Sequence, residues 1–148
     1  MFAFSETARL FSFPVFFDGG VAPFVKDDLA SFALAQPQVR AQARPDDVLL
    51  GLTADAGQVR VVFVFVVDEV LPWPEYAAKT RSEWRNRVPH NVLDAADAIW
   101  PPQSRFPLSS WSGHGEGDFG RDVEVGRHVL LSRRFWYFGR GDKVALLL

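Results

Sequence analysis

The chain of 148 residues is 48% hydrophobic and 23% charged, proportions that fit one globular domain with a buried core and exclude a disordered, collagen-like or repeat-array chain. It contains 0 cysteines, which rules out disulfides, thiolate metal sites and a thiol nucleophile. The formal charge of −2 hides an uneven split, with 5 basic against 10 acidic residues over 1–78 and 11 against 8 over 79–148. A general basic coat for nucleic acid is therefore absent, and any polyanion contact has to be local, at Arg121, Arg127, Arg133, Arg134, Arg140 or Lys143.

The aromatic content, with 14 Phe and 5 Trp, favours strands and flat apolar pockets over a helical bundle. Leu10 to Phe17 reads as a first strand ending in the turn Asp18-Gly19-Gly20, after which Pro23 keeps the chain irregular. Leu29 to Ala35 fits a strand or a short helix, periodicity not choosing between them, and the strand is preferred; Pro37 closes it, and Arg40 to Arg44 is polar. Pro45-Asp46-Asp47 makes a turn into the short buried strand Val48 to Leu52. Asp55-Ala56-Gly57 turns the chain into Val59 to Val70, an apolar run dense in β-branched residues, which should lie centrally and pair with its predecessor as an antiparallel hairpin.

Pro74 suits the first turn of a helix over Glu75 to Arg87, and a shorter helix fits Leu93 to Ala98. Residues 101–126, rich in Pro, Ser, Gly and Trp without a period, read as a long loop or insertion. His128 to Phe138 and Lys143 to Leu148 read as closing strands on either side of the turn Gly139 to Asp142. The pattern predicts a single α+β domain over 1–148, built on a curled, mostly antiparallel sheet or a small β-barrel with one or two helices. The longest apolar runs, Phe13 to Phe17 and Val61 to Val67, are strand-sized rather than membrane-spanning. The N-terminus lacks the basic start and cleavage site of a secretory signal, so a cytoplasmic protein is expected.

The three histidines, His90, His114 and His128, form no metal-ligand spacing, so neither a metal nor another cofactor is expected. His114 lies in a run, Gly113 to Gly117, that matches neither a dinucleotide nor a P-loop pattern. No G-x-S-x-G elbow points to a serine nucleophile. What remains is aromatic side chains beside hydrogen-bonding groups: Trp73, Tyr76, Trp84, Trp100, Trp111, Trp136 and Tyr137, with Asp18, Asn91 and Ser132. Such a set serves core packing, or it stacks a planar base and reads its edge.

Five blocks, in order, resemble the nucleotide modification associated domain 2 family. Asp18-Gly19-Gly20-Val21-Ala22-Pro23 is similar to that family's D-S-G-F-A-P, Ala35-Gln36-Pro37-Gln38-Val39-Arg40 to its C-K-P-x-I-R, and Pro45-Asp46-Asp47-Val48-Leu49-Leu50-Gly51 to its V-G-D-W-I-I-G. Val67 to Tyr76 is similar to V-T-E-x-L-x-F-x-E-Y, and Val129 to Gly139 to V-L-I-S-x-x-F-x-Y-F-G. Gln36 replaces the family's Lys, Pro89-His90-Asn91-Val92-Leu93 replaces G-D-N-I-Y so that only Asn91 carries over, and 101–126 has no counterpart. The resemblance, over about 10–141, implies a domain of DNA or nucleotide modification systems, often phage or bacterial. The turn at Asp46-Asp47 also resembles that of the PUA-like superfamily, whose curled sheets hold a modified or flipped base.

The expectation is a binding domain for a modified base, nucleotide or nucleic acid. Asp18, Arg40 and Asn91 are its candidate polar contacts, together with Ser132. Trp136 and Tyr137 are the stacking candidates, and Arg133 or Arg134 would lie near phosphate. An Asp18–Arg40 pair equally suits a purely structural role. The alternatives are an enzyme in which His114 or His90 moves protons and Asp18 or Glu69 orients it, and a protein-interaction factor.

Overall fold

A computed structural model of the chain describes residues 6–16, 23–55, 57–87, 116–138 and 144–145. Among the described residues, nine strands form two sheets, and three helices and one 3-10 turn accompany them. The first sheet runs β1 (Leu10–Pro14), β4 (Val48–Asp55), β5 (Gln58–Val66), β8 (Arg134–Tyr137), and β9 (Val144–Ala145) also pairs with β5. The second runs β2 (Phe24–Lys26), β3 (Leu29–Phe32), β7 (His128–Ser132), β6 (Glu69–Pro72). Among the described strands, all pairings are antiparallel except β1 with β4. This is the expected α+β class, with its strands divided between two mostly antiparallel sheets, and the described strands do not close into a barrel.

The two sheets enclose a core rich in phenylalanine. The inner-face rows of the first sheet place Phe11, Leu49, Phe65 and Phe135 in register, then Phe13, Gly51, Phe63 and Tyr137. Phe32 of the second sheet packs against this surface, its ring centroid 5.9 Å from Phe13, 6.0 Å from Phe63 and 6.2 Å from Phe65, in tilted and edge geometries that aromatic quadrupoles favour. Gly51 is required because a Cβ there would occupy the Phe63 ring, and the β4–β5 register shifts directly after it. The other face of the second sheet packs Leu29, Leu71, Val129 and Leu131 against Trp73 and Tyr76 of α2 (Trp73–Ser82). Tyr76 lies between Trp73 and Trp84, with centroids at 6.3 and 5.7 Å, so these three aromatics belong to core packing.

The element boundaries differ from expectation at several places, and the helix expected over 75–87 is α2 to Ser82 followed by the 3-10 turn Arg85–Arg87. The run Val59 to Val70 is two strands, because the chain leaves the first sheet at Val67-Asp68 and enters the second as β6. The run His128 to Phe138 breaks likewise at Arg133, so both crossings meet at one corner. Each break falls at a short polar stretch, Asp68-Glu69 in the first run and Ser132-Arg133-Arg134 in the second, but apolar strand residues resume directly after it, and that hides the change of sheet. Phe24 to Lys26, expected to be irregular, pairs with β3 across the turn Asp27-Asp28, where Asp27 takes φ 54°. Pro37–Gln42 is a short helix, α1, rather than a polar connection. Glu116–Glu124, expected inside a loop, is a helix, α3, which carries Arg121 in its last turn. The expected helix at 93–98 and the turn at Asp18 lie outside the described residues.

Candidate functional site

Leaving β3, the chain reaches α1 through Ala35 and Gln36, two consecutive non-glycine residues in the left-handed region at φ 59° and 42°. Each such residue costs about 1–2 kcal/mol, so the surroundings must impose the conformation. Pro37 fixes the first position of the helix, and the backbone N–H of Arg40 donates to the Gln36 carbonyl at 3.1 Å.

The strongest restraint is the Arg40 side chain, which is wholly buried. Its Nε donates to the Ala35 carbonyl at 2.8 Å, Nη1 to the His128 carbonyl at 2.8 Å, and Nη2 to the Asp122 carbonyl at 2.6 Å. The Asp122 carboxylate lies 3.6 Å from Nη2. Burial, partly offset by the charge of Asp122, lowers the Arg40 guanidinium to about 10, and at neutral pH it remains a cation. Gly126 makes room for it, since a Cβ at that position would meet both the guanidinium and the Asp122 carbonyl. One planar fork thus ties the loop before α1 to α3 and to the start of β7.

Between the elements joined in this way lies a cleft of about 300 Å³, lined by Ala35, Gln36, Pro37, Gln38 and Arg121. Ala35 and Asp122 accept hydrogen bonds from the same guanidinium, so Arg40 positions both walls: the 35–38 segment on one side and Arg121, next to Asp122, on the other. The lining offers two carboxamides, each both donor and acceptor, and one guanidinium.

Ser132, Arg133 and Arg134 come together elsewhere, at the corner where the chain changes sheets. The Arg134 Nε donates to Asp68 Oδ1 at 2.6 Å and its Nη2 to Asp46 Oδ1 at 2.8 Å, and these hydrogen bonds raise its pKa above the ordinary arginine value. The Ser132 hydroxyl accepts the Arg134 backbone N–H at 3.0 Å. The Arg133 backbone N–H donates to Asp68 Oδ2 at 2.5 Å, and its side chain pairs with Asp28. Glu69 follows on β6 and lies 3.8 Å from Lys79. The corner is a set of matched charges that stitches four chain segments together.

Trp136 and Tyr137 are neighbours on β8 and point to opposite faces. Tyr137 packs on the first core, whereas Trp136 is 37% exposed, so the two rings do not form one stacking surface. Asp18, His90, Asn91 and His114 lie outside the described residues. No group of three His, Asp or Glu that would hold a metal occurs among the described residues. Nor is any described helix long and apolar enough to cross a membrane.

The cleft residues 35–38 escaped the residue-by-residue reading because left-handed backbone at Ala and Gln carries no compositional mark, unlike Gly or Asn. Pro37 was the available signal, as a residue suited to starting a helix. Arg121 stood among the candidates for a local polyanion contact.

Compared with known proteins, residues 7–145 match the nucleotide modification associated domain 2 family, nearly the whole chain. No curated protein and no solved structure matches significantly. The chain belongs to the nucleotide modification associated domain 2 family.

Proposed function

We propose that this member of the nucleotide modification associated domain 2 family binds a nucleotide or modified base, and that the cleft between α1 and α3 is where it does so. The observation that carries the reading is the cleft itself, about 300 Å³, set on a loop held in left-handed backbone by a buried arginine. Strain kept in place by a dedicated buried cation is characteristic of sites that must present groups in one geometry. The volume stands at the lower end of the range for small-molecule sites, and a few convergent polar groups on a concave surface give such sites their orientation and specificity.

Gln36 and Gln38 supply the donor and acceptor groups that read the edge of a base. The aromatic pocket expected from Trp136 and Tyr137 does not enter this proposal, because their rings face apart.

A thermal-shift screen against normal and modified nucleosides and nucleotides tests it, since a ligand that binds only the folded state raises the melting temperature. A selective shift is expected, and Gln38→Ala, at an exposed position, should weaken that ligand about tenfold, the equivalent of one hydrogen bond at ~1.4 kcal/mol. A shift that Gln38→Ala leaves unchanged would move the ligand away from this cleft.

A further inference from the structure

We infer that the outer face of the first sheet is where two copies of this chain meet. The rows that alternate with the phenylalanine rows of the core point away from it. One row holds Leu10, Val48, Val66 and Arg134 in register, and the next Ser12, Leu50, Val64 and Trp136. Beyond the register shift after Gly51, Leu52 pairs with Val61 and Ala54 with Val59 on the same face. Five large hydrophobic side chains are exposed among the described residues. Leu10 at 64%, Val59 at 37% and Trp136 at 37% lie on this face, and Phe16, at 95%, stands just beyond the end of β1. Trp136 also keeps a contact within the chain, so it offers the face only the surface that contact leaves. Single exposed apolar residues are ordinary, whereas their concentration on one sheet face marks an interaction surface.

Charge decides which partner fits. Arg134 is the one charged side chain in the two rows, and Asp46 at 2.8 Å and Asp68 at 2.6 Å already neutralise it. Nucleic acid draws its affinity from uncommitted cations, and a surface that lies on an anionic membrane carries a basic rim; here the charged neighbours of the single arginine are acidic. The partner is therefore apolar and uncharged where it touches this face, and a second copy of the chain carries such a surface. In a two-fold contact each copy presents the same patch, and no unneutralised like charges are brought together. Four strands span about 19 Å and the rows extend about 20 Å along them, roughly 400 Å² in projection. With the relief of the side chains two copies bury about 1,000 Å², the lower end for a specific interface, so the dimer is a weak one. The cleft is tied to β7, in the other sheet, through the Arg40–His128 hydrogen bond, and the pairing leaves it open.

Sedimentation velocity of the full chain between about 1 and 200 μM tests the inference, and a rise from monomer to dimer is expected across that range. Leu10→Lys and Val59→Lys each set a cation at an exposed position of the face, and each should raise the dimer dissociation constant about tenfold or more, with the circular dichroism spectrum of the fold retained. Val125→Lys, at the exposed apolar position just after α3 and off this face, should leave association unchanged. A monomer at every concentration overturns the inference. A dimer that both face variants leave intact, or that only Val125→Lys weakens, overturns the assignment to this face. A monomer that co-sediments with phosphatidylcholine vesicles, and no longer does so as Leu10→Lys, overturns it in favour of a lipid surface.

Discussion

At the scale of single residues, Arg40 decides most. A buried guanidinium is expensive unless it is hydrogen-bonded and its charge is compensated; here each of its three nitrogens donates to a backbone carbonyl, and the Asp122 carboxylate 3.6 Å away supplies the opposite charge. Removing one partner leaves the other buried and uncompensated, so Arg40→Met should cost about 3–5 kcal/mol, a large share of the 5–15 kcal/mol typical of whole domains. Gly126→Ala tests the same contact from the other side. Its Cβ collides with the guanidinium, and a loss of about 1–3 kcal/mol is expected in urea unfolding. Arg40 was legible in the sequence as a singular residue, paired in expectation with a turn aspartate, Asp18. Asp18 lies outside the described residues; the partner that the described residues supply is Asp122, 82 positions away in the chain, and no spacing rule connects it to Arg40. Gly126 was invisible for the same reason, since its role depends on a side chain that only the fold brings near.

At the scale of elements, the parallel pairing of β1 with β4 is pinned by Asp47. Its carboxylate accepts the Arg9 backbone N–H at 3.0 Å, Arg9 Nε at 3.2 Å and Nη2 at 2.6 Å, and the Arg44 N–H at 2.8 Å. Burial alone would push the Asp47 carboxyl up, but the Arg9 side chain, the two backbone N–H groups and the Arg9 charge outweigh it and hold it below its ordinary value. A carboxylate with a depressed folded pKa adds stability above its unfolded pKa and loses it as pH falls through the folded value. Acid unfolding should therefore steepen below about pH 4, the ordinary aspartate range. Asp47→Asn should be less stable at neutral pH and show a shallower acid limb, measured by urea midpoints across pH; equal slopes in the two proteins would contradict this role. The hairpin β4–β5 was legible because Asp55-Ala56-Gly57 separates two apolar runs, and Gly57 indeed takes φ 80°. The corners at Asp68 and Arg133 were not, since two or three polar residues between apolar stretches look like an irregularity within one strand rather than a change of sheet.

At the scale of the whole molecule, β7 joins the two cores: Leu130 faces the phenylalanine cluster between the sheets, and Val129 and Leu131 face the cluster under α2. Because one strand belongs to both, loss of either core removes support from the other, and the chain should unfold in a single cooperative transition. Denaturant curves followed by tryptophan fluorescence and by far-ultraviolet circular dichroism should coincide; separated midpoints would contradict a single folding unit. The same layering explains why the α+β class was readable from periodicity while the cleft was not. Sheets and cores follow from which residues are apolar, whereas the cleft follows from where one buried arginine draws together a loop and a helix distant in sequence.

The most direct test of the account is the position of the bound ligand. Backbone amide NMR shifts recorded while titrating the nucleoside or nucleotide that gives the largest thermal shift should move first and furthest at Ala35, Gln36, Gln38 and Arg121, with Arg40 and Asp122 following because they hold the two walls. Shifts centred instead on Ser132 to Tyr137, with the 35–38 and 121 amides unchanged, would contradict the assignment of the cleft as the nucleotide site.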